Sequence, residues 1–355
     1  MAVLHTGNGP RAYVASGLGA SEVPFTEIPV VDFAAMRGGD AAARQAVGEA
    51  VREACVNVGF FYAKNHGVDP AVVEATFAAA HRFFDLPPED KLAVHVDKSP
   101  NLRGYTPLLA ENTDPTARGD LHEGFDIALD VPADDPDVVA GVFGYGPNQW
   151  PADLPGFREA LLAYQAAALA FGRDIFRAFA LALELDEDFF APLITKPMAQ
   201  MRVLHYPSQD GPIDDRQIGI GAHSDYECFT ILATDDVPAL QVLNSAGQWI
   251  MAPPTPGAFI VNVGDLMARW TNDYFASTVH RAINRSGRRR YSIPFFFGTN
   301  SQAVIAVLPT CAGEERSAKY PPIAAGDYIQ SRFKDTYFHL QDTPSQDAAE
   351  DVAAP

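Results

Sequence analysis

Between residues 201 and 299, hydrophobic and polar residues form short runs that are separated by Gly and Pro. Runs of this length, rich in β-branched and aromatic residues, predict β-strands. Eight of them follow one another: MRVLHY, IGIGAHSD, FTILATD, ALQVLN, WIMAPP, AFIVNVGD, STVHRAI and RYSIPFFF. Their number and spacing predict an antiparallel barrel or jelly roll.

The preceding half of the chain has the pattern of helices mixed with a few strands. An Ala-rich amphipathic stretch predicts a helix over 41–58, and Asp69-Pro70 predicts the start of another that runs to about Phe84. The Leu and Phe residues of 157–185 lie among small residues and predict a buried helix that braces a sheet. IPVVDF and GFFYAKNHGV predict strands. We therefore expect an α+β protein with a mainly β core, a helical amino-terminal region and bracing helices.

These patterns divide the chain into four regions. Residues 1–24 are rich in Gly, Ala and Ser without periodicity and predict a flexible lead-in. Residues 25–155 form an amino-terminal region, and residues 156–340 contain the long helix and the barrel. The acidic, Ala-rich residues 341–355 predict a flexible tail.

Composition excludes several classes of function. With 45 acidic and 26 basic residues, the net charge of −19 disfavours attraction to nucleic acid or to an anionic membrane surface, and solubility is its simplest explanation. The three cysteines are widely spaced and form no CxxC motif, so they predict neither a disulfide framework nor a thiolate zinc site. No apolar run approaches the ~18 residues of a membrane span, and no secretory signal is recognisable. We expect a cytoplasmic protein.

The candidate chemistry centres on two histidines and one aspartate. His223 and Asp225 are two residues apart on a predicted strand, so both side chains should lie on the same side of the sheet. His280 follows on a later strand. Two imidazoles and one carboxylate form the facial triad of non-haem Fe(II) oxygenases, which leaves coordination positions open for chemistry. A His-x-Asp motif alone is weak evidence, because a histidine in a strand is often only a packed residue; Gly219 and Gly221 beside it favour a position near a barrel mouth.

A second group of residues could bind an acid. Arg290 and Ser292 alternate on a predicted strand, so both should point into the barrel. A buried guanidinium needs an anionic partner, and its planar fork suits a carboxylate. Alternatively, residues 288–290 are a solvated charge run, although this reading suits Arg289 better than Arg290. The hydroxyl of Tyr206 could hydrogen-bond the same acid.

Several segments together resemble one known family. They are HSDYECFTIL, PGAFIVNVGDLMARWTND, STVHRAINRSGRRRYSIPFFF, IPVVDF, GFFYAKNHGV, RGYTPL and EGFDI. They are similar to the isopenicillin N synthase-like family of Fe(II)- and 2-oxoglutarate-dependent dioxygenases, from about Phe25 to about Leu340. The resemblance implies a double-stranded β-helix, with Fe(II), 2-oxoglutarate and O2 as cofactor and co-substrates.

The same resemblance implies roles for the candidate residues. His223, Asp225 and His280 would bind the iron. The distal carboxylate of 2-oxoglutarate would be held by Arg290 and Ser292, and Tyr206 occupies the place of a tyrosine that contacts this co-substrate.

The expected partner is a small-molecule substrate. Arg103 matches a position where some relatives bind a substrate carboxylate, although it could equally fix its own loop. Phe125, Phe229, Phe295 and Phe297 are candidates for an apolar wall of the site, and each could instead be a core residue. We expect hydroxylation of an unactivated C–H bond, for example in an amino acid or another carboxylate, with release of succinate and CO2. The alternatives are a ring-forming or desaturating oxidase of the same family, and a non-catalytic protein that binds a small acid.

Overall fold

A computed structural model describes residues 2–6, 8–13, 28–113, 119–209, 217–314 and 316–341 of the chain. The strands among these residues are β1 (Ala2–Thr6), β2 (Gly9–Tyr13), β3 (Val30–Asp32), β4 (Phe60–Lys64), β5 (Gly104–Thr106), β6 (Glu123–Ile127), β7 (Pro197–Tyr206), β8 (Ile220–His223), β9 (Phe229–Thr234), β10 (Leu240–Leu243), β11 (Trp249–Met251), β12 (Ala258–Val263), β13 (His280–Ala282), β14 (Arg290–Asn300), β15 (Val304–Ile305) and β16 (Ile323–Ala324). The helices are α1 (Ala35–Gly38), α2 (Ala41–Asn57), α3 (Pro70–Phe84), α4 (Pro88–Leu92), α5 (Pro136–Val139), α6 (Phe157–Ala182), α7 (Asp265–Trp270) and α8 (Ala325–Gln341).

Two sheets form the core of the fold. The larger has the strand order β3-β4-β12-β9-β14-β7-β6-β5, and the smaller has the order β11-β10-β13-β8. Side chains from both sheets, including Phe60 and Ile260 from the larger and Leu240 and Val242 from the smaller, pack into one buried cluster. The two sheets therefore face each other across an apolar interior, which is the jelly-roll arrangement.

Helix α6 covers the outer face of the larger sheet. Its Phe176 ring lies 5.0 Å from Phe229 of β9 and 5.3 Å from Phe297 of β14, both in edge-to-face geometry. Gly172 permits this close approach, because a Cβ at this position would lie 2.3 Å from the Phe297 ring. The helix thus fixes the strands whose opposite faces line the barrel interior.

The predicted β core and bracing helices are confirmed. Helices α2, α3 and α6 lie at the expected positions, with α6 ending at Ala182 instead of residue 185. Strands β3 to β6 of the amino-terminal region extend the larger sheet at both of its edges. The two regions therefore share one continuous sheet.

The amino terminus differs from the expected flexible lead-in, because β1 and β2 pair as an antiparallel hairpin. The side-chain amide of Asn8 at its turn donates to the main-chain oxygen of Asp265 at 2.9 Å. Such a long-range contact leaves no periodicity in the sequence. Residues 14–24 of the lead-in and 342–355 of the tail lie outside the described residues. Within the described part of the chain, no helix is both long and apolar enough to cross a membrane.

Candidate active site

His223, Asp225 and His280 come together at one point of the barrel interior. β13 pairs with β8 so that His280 lies opposite His223. The Nε2 atoms of both histidines lie 3.6 Å from Oδ1 of Asp225, and one donor atom from each residue lies within 4.8 Å of the others. Pairing of two distant strands therefore builds a three-donor cluster that can hold one metal ion on one side.

Hydrogen bonds select the tautomer of both histidines. Nδ1 of His223 lies 2.9 Å from the carbonyl oxygen of Gly221, and Nδ1 of His280 lies 3.1 Å from that of Thr278. A carbonyl oxygen can only accept, so each Nδ1 carries the proton. The lone pairs on both Nε2 atoms are thus available for metal coordination.

The carboxylate of Asp225 is oriented by two buried side chains. Its Oδ2 atom accepts hydrogen bonds from the amide of Asn262, at 2.7 Å, and from the hydroxyl of Thr230. Oδ1 is left facing the two histidines. Asn262 and Thr230 are site residues that sequence reasoning missed. Alternation along β9 and β12 could identify them as inward-facing polar residues but not as partners of Asp225.

Asp265 links the two segments that carry the triad. It is fully buried and accepts hydrogen bonds from Ser224 at 3.0 Å and from Ser277 at 2.6 Å. Ser224 lies between His223 and Asp225, and its side chain points away from the metal donors, as alternation predicts. In the sequence, Asp265 follows Gly264 at a strand end, where an aspartate is most simply a turn residue. In the structure, the two hydrogen bonds of Asp265 set the distance between the segments that carry the triad.

The electrostatics of the cluster suit metal binding. Burial, and then the neighbouring His280, lower the pKa of His223 to about 4. Burial alone would raise the pKa of Asp225, but His280, His223 and the two hydrogen bonds outweigh it and lower that pKa. At neutral pH, His223 is therefore neutral and Asp225 is ionised, which are the protonation states that coordination requires.

We expect Asn262→Ala to weaken Fe(II) binding by about 10- to 100-fold, the usual cost of losing a hydrogen bond that orients a metal ligand. Fe(II) affinity can be measured by anaerobic equilibrium dialysis. Asn57→Ala, on the exposed end of α2, is the matched control and should bind Fe(II) like the unchanged protein. Equal affinities of both variants would show that Asn262 does not support the site.

Arg290, Ser292 and Tyr206 form a second polar cluster deeper in the same interior. The Arg290 guanidinium lies 4.6 Å above the Tyr206 ring, and its Nη1 is 3.4 Å from Oγ of Ser292. Oγ of Ser292 is 3.4 Å from the Tyr206 hydroxyl. All three side chains are at least 97% buried. Among the described residues, no carboxylate lies within ion-pair distance of Arg290, so the cluster fits the anionic end of a bound molecule.

An apolar surface connects the two clusters. Leu204 and Tyr206 of β7 pack against Ala282 of β13, with Ile220 of β8 beside them. Ala282 follows His280 by two residues and therefore lies on the same face of its strand. The metal donors thus lie at one end of the interior, hydrocarbon lies in the middle, and a buried guanidinium lies at the other end. This order of environments suits a short dicarboxylate that meets the metal donors with one end and the guanidinium with the other.

The structure places the predicted apolar wall elsewhere. Phe229, Phe295 and Phe297 lie on the outer face of the larger sheet, in the core beneath α6. Phe125 is also outward-facing, with Phe83 and Phe157 around its ring. None of these four phenylalanine side chains faces the part of the interior that holds the triad. Along β14 the inward-facing phenylalanine is Phe296, which is half-buried.

Arg103 is engaged with its own loop. Its guanidinium donates to the carbonyl oxygens of Asn101 at 2.7 Å and Gly144 at 3.0 Å, and the residue is 5% exposed. Its Nη1 and Nη2 atoms thus fix the surrounding loops, which is one of the two roles expected for Arg103, and its binding of a substrate carboxylate stays a prediction. Loop contacts of this kind depend on the fold and leave no sequence signal.

A charged cluster that the sequence did not indicate lies on the inner face of β6 and β7. The guanidinium of Arg202 pairs with Glu111 at 2.7 Å and with Asp126 at 2.8 Å. His122 places Nδ1 2.9 Å from the carbonyl oxygen of Gly219 and Nε2 3.1 Å from the Glu111 carboxylate. Both of its nitrogens face acceptors, so both must be protonated. Burial alone would lower the pKa of His122, but Glu111 outweighs burial and raises it.

We expect His122→Gln to cost about 3 kcal/mol of stability at pH 6, as the loss of a buried charged partner does. The pKa of His122 is higher in the folded chain than in the unfolded one. The stabilisation is therefore complete below the unfolded value and is lost as the pH rises through the folded value. Urea denaturation at pH 6 and pH 9 should show the difference between variant and unchanged protein narrowing at pH 9. A constant difference would contradict a charged His122.

Family models match both regions of the chain. Residues 28–153 match the non-haem dioxygenase in morphine synthesis N-terminal model, and residues 197–299 match the 2OG-Fe(II) oxygenase superfamily. The chain is 41% identical over 317 residues to the 2-oxoglutarate-Fe(II) type oxidoreductase hxnY of Emericella nidulans, covering 88% of this chain and 91% of hxnY. It is 41% identical over 293 residues to azadirone synthase LFS of Melia azedarach, covering 80% and 86% of the two chains.

Solved structures agree with these relatives. A full-length Neurospora crassa protein crystallised in complex with alpha-KG superimposes with a TM-score of 0.79 at 31% identity, over 90% of this chain and 100% of that chain. JOX2 in complex with 2OG, Fe and JA gives a TM-score of 0.71 at 28% identity, over 90% and 87% of the two chains. The donor set and the buried guanidinium fit the Fe(II), 2-oxoglutarate and O2 that such enzymes use. The chain therefore belongs to the isopenicillin N synthase-like family of 2-oxoglutarate- and Fe(II)-dependent oxygenases.

Proposed function

We propose that this oxygenase hydroxylates an unactivated C–H bond of a small molecule and converts 2-oxoglutarate to succinate and CO2. The observation that carries the proposal is the two-ended interior. Three metal donors lie at one end, and the buried Arg290 at the other has no carboxylate within ion-pair distance among the described residues. The hydrocarbon of Leu204 and Ala282 separates them. This arrangement supports 2-oxoglutarate as the molecule that spans both ends.

In this proposal His223, Asp225 and His280 hold Fe(II), while Arg290, Ser292 and Tyr206 bind the distal carboxylate of 2-oxoglutarate. When bound, iron and 2-oxoglutarate supply the activation of O2 and the oxidising power for the C–H bond. The chain's own residues prepare this chemistry. The carbonyl oxygens of Gly221 and Thr278 keep both imidazoles in the metal-binding tautomer, and Asn262 orients Asp225.

Apolar side chains around the donors keep bulk water out of the site. The ring of Phe60 packs edge-on against that of His280, with 5.3 Å between their centroids. Leu204 and Ile220 cover the route towards Arg290. A dry interior strengthens the electrostatic grip on the anionic co-substrate and limits side reactions. A small-molecule substrate agrees with relatives of this fold, since the same Neurospora crassa protein has been solved with thymine and with 5-formyluracil.

The test is a screen of small molecules with the purified protein, Fe(II), O2 and 2-oxoglutarate, followed by mass spectrometry of succinate and of the organic product. We expect one succinate for each product molecule, and a product heavier than its substrate by one oxygen atom. Turnover that needs no 2-oxoglutarate would favour the alternative function, a ring-forming or desaturating oxidase, over the hydroxylase. Ligand binding without O2 uptake under all conditions would contradict both.

A further inference from the structure

Phe296 is a half-buried phenylalanine that faces the interior of the barrel. It shares a face of β14 with Ser292. Among the described residues, it packs against none of the buried hydrophobic clusters, and no aromatic ring lies against it. Its neighbours Phe295 and Phe297, by contrast, are fully buried in the core on the other face. A ring without core contacts in the interior can pack on a bound molecule.

Strand pairing places Phe296 beside the residues that hold Asp225. Phe296 lies directly opposite Thr230 of β9, and Thr230 lies opposite Asn262 of β12. Directly opposite residues have Cβ atoms about 4.5–5.5 Å apart on one face of a sheet. Thr230 and Asn262 both donate hydrogen bonds to the Asp225 carboxylate. Phe296 is therefore one strand spacing from a side chain that contacts a metal ligand.

Gln200 of β7 continues this row on the other side of Phe296. The two residues lie directly opposite each other, and both are half-buried. Gln200 is thus two strand spacings from Thr230, or about 10 Å. Phe296 and Gln200 together form a surface with an apolar part close to the triad and a polar part further away.

The side-chain amide of Gln200 has a fixed orientation. Its Nε2 donates to Oδ1 of Asp126 at 2.9 Å, and the same oxygen accepts from Nε of Arg202. A rotated amide would bring its oxygen against this carboxylate oxygen, and two acceptors repel each other. Among the described residues, Oε1 of Gln200 accepts no hydrogen bond. The group that Gln200 offers to a ligand is therefore an acceptor.

The interior is open at the level of these two side chains. Tyr206 and Ser292 are inward-facing residues of the same two strands and are at least 97% buried. Gln200 and Phe296, further along, keep exposed surface. The outer faces of both strands are covered by the hydrophobic core, so this surface borders the interior. The side chain of His223 in the triad is also 25% exposed. A substrate that fills this space would also exclude water from the metal donors.

Both residues lie beyond the position proposed for 2-oxoglutarate. Phe296 follows Ser292 by four residues, and Gln200 precedes Leu204 by four, which is about 13 Å along each strand. A short dicarboxylate that is held by Arg290 and Ser292 and reaches the metal donors leaves Phe296 and Gln200 uncovered. The surface is therefore free for a second molecule.

We propose that Phe296 and Gln200 bind the substrate of this oxygenase. A ring or another apolar face of the substrate packs on Phe296, and an N–H or O–H group of the same molecule donates to Oε1 of Gln200. The inference rests on the proposed hydroxylase function and names two residues that select its substrate. Because the donor is held about 10 Å from Thr230, these contacts direct the opposite, apolar end of the substrate to the triad.

Binding can be tested without turnover. Matched pairs of probes share one ring and differ in whether they can donate a hydrogen bond: indole and N-methylindole, phenol and anisole, benzamide and N,N-dimethylbenzamide. Each is titrated calorimetrically, under nitrogen, into the protein loaded with Fe(II) and 2-oxoglutarate. We expect at least one donor probe to bind about 10-fold more tightly than its methylated partner, because Oε1 of Gln200 stays unpaired with the latter.

Two substitutions separate the two contacts. Gln200→Leu should abolish the preference for that donor probe. Leucine has a similar volume, so a preference caused only by the size of the added methyl group would survive this change. Phe296→Ala should weaken both members of the pair by about 10- to 100-fold and leave the preference between them, because it removes apolar contact area.

Two controls keep the result specific. Gln302→Leu changes an exposed glutamine just beyond the end of β14 and should bind every probe like the unchanged protein. The Kd of 2-oxoglutarate should be the same in every variant, since Arg290 and Ser292 are unchanged. An unchanged Kd also shows that each variant is folded.

The inference is wrong if no probe binds, if methylated probes bind as tightly as the donors, if the preference survives in Gln200→Leu, or if Phe296→Ala leaves the affinities unchanged. These outcomes leave the hydroxylase function intact as long as succinate formation depends on 2-oxoglutarate. A protein that binds the donor probes through Gln200 and Phe296 but forms no succinate with any molecule screened would contradict the hydroxylase function alone.

Discussion

Asp225→Ala is expected to abolish Fe(II) binding and all 2-oxoglutarate turnover. This carboxylate supplies the charge of the donor set and the oxygen that lies 3.6 Å from both histidine Nε2 atoms. Its removal leaves two imidazoles, which hold Fe(II) far less tightly than a facial triad does. The loss should exceed the roughly 100-fold that losing a supporting hydrogen bond can cost. The measurements are iron per chain after anaerobic dialysis and succinate formed per minute.

Asp153→Ala is the matched control for this variant. Asp153 is an exposed aspartate before α6, so its loss should change neither iron content nor rate. His223→Ala should behave like Asp225→Ala, because it removes another donor of the same cluster. Full activity of either triad variant would contradict the assignment of these residues as metal ligands.

Arg290→Ala is expected to raise the KM for 2-oxoglutarate by about 100-fold while iron content stays the same. A charge-assisted hydrogen bond in a buried site accounts for an effect of this size. Arg290 is 2% exposed and reaches none of the metal donors in the structure, so its loss should not disturb them. The measurement is succinate formation against 2-oxoglutarate concentration, beside an iron assay on the same sample.

Arg289→Ala is a control from the adjacent residue. Its guanidinium points to the other side of the sheet, where it donates to Asp85 at 2.7 Å and to His205 at 3.0 Å. Its loss should change stability without changing the KM for 2-oxoglutarate. Equal effects of the two substitutions would mean that Arg290 acts through the fold and not through the co-substrate.

The strand pattern allowed the fold and the two polar clusters to be predicted from the sequence. The period of two is a local property, so it predicts that His223 and Asp225 share a face and that Arg290 and Ser292 share another. The same period, continued from Ser292, assigns Phe295 and Phe297 to the outer face and Phe296 to the interior. The orientation of these three phenylalanines could therefore be predicted from the sequence. That of Phe125 could not, because its strand contains no residue that the sequence assigns to the interior.

Other features depend on which distant segments meet. Asn262 contacts Asp225 because β12 pairs with β9, and Arg103 is engaged because its loop lies beside Gly144. The amino-terminal hairpin is fixed in part by a hydrogen bond to Asp265, far along the chain. None of these contacts has a signature within one segment of sequence.

A crystal structure with Mn(II) and 2-oxoglutarate, grown without O2, is the most direct measurement of the proposed site. We expect one anomalous peak among Nε2 of His223, Nε2 of His280 and Oδ1 of Asp225, with the distal carboxylate of 2-oxoglutarate on Arg290 and Ser292. A metal bound elsewhere, or a co-substrate whose distal carboxylate does not reach Arg290, would contradict the account.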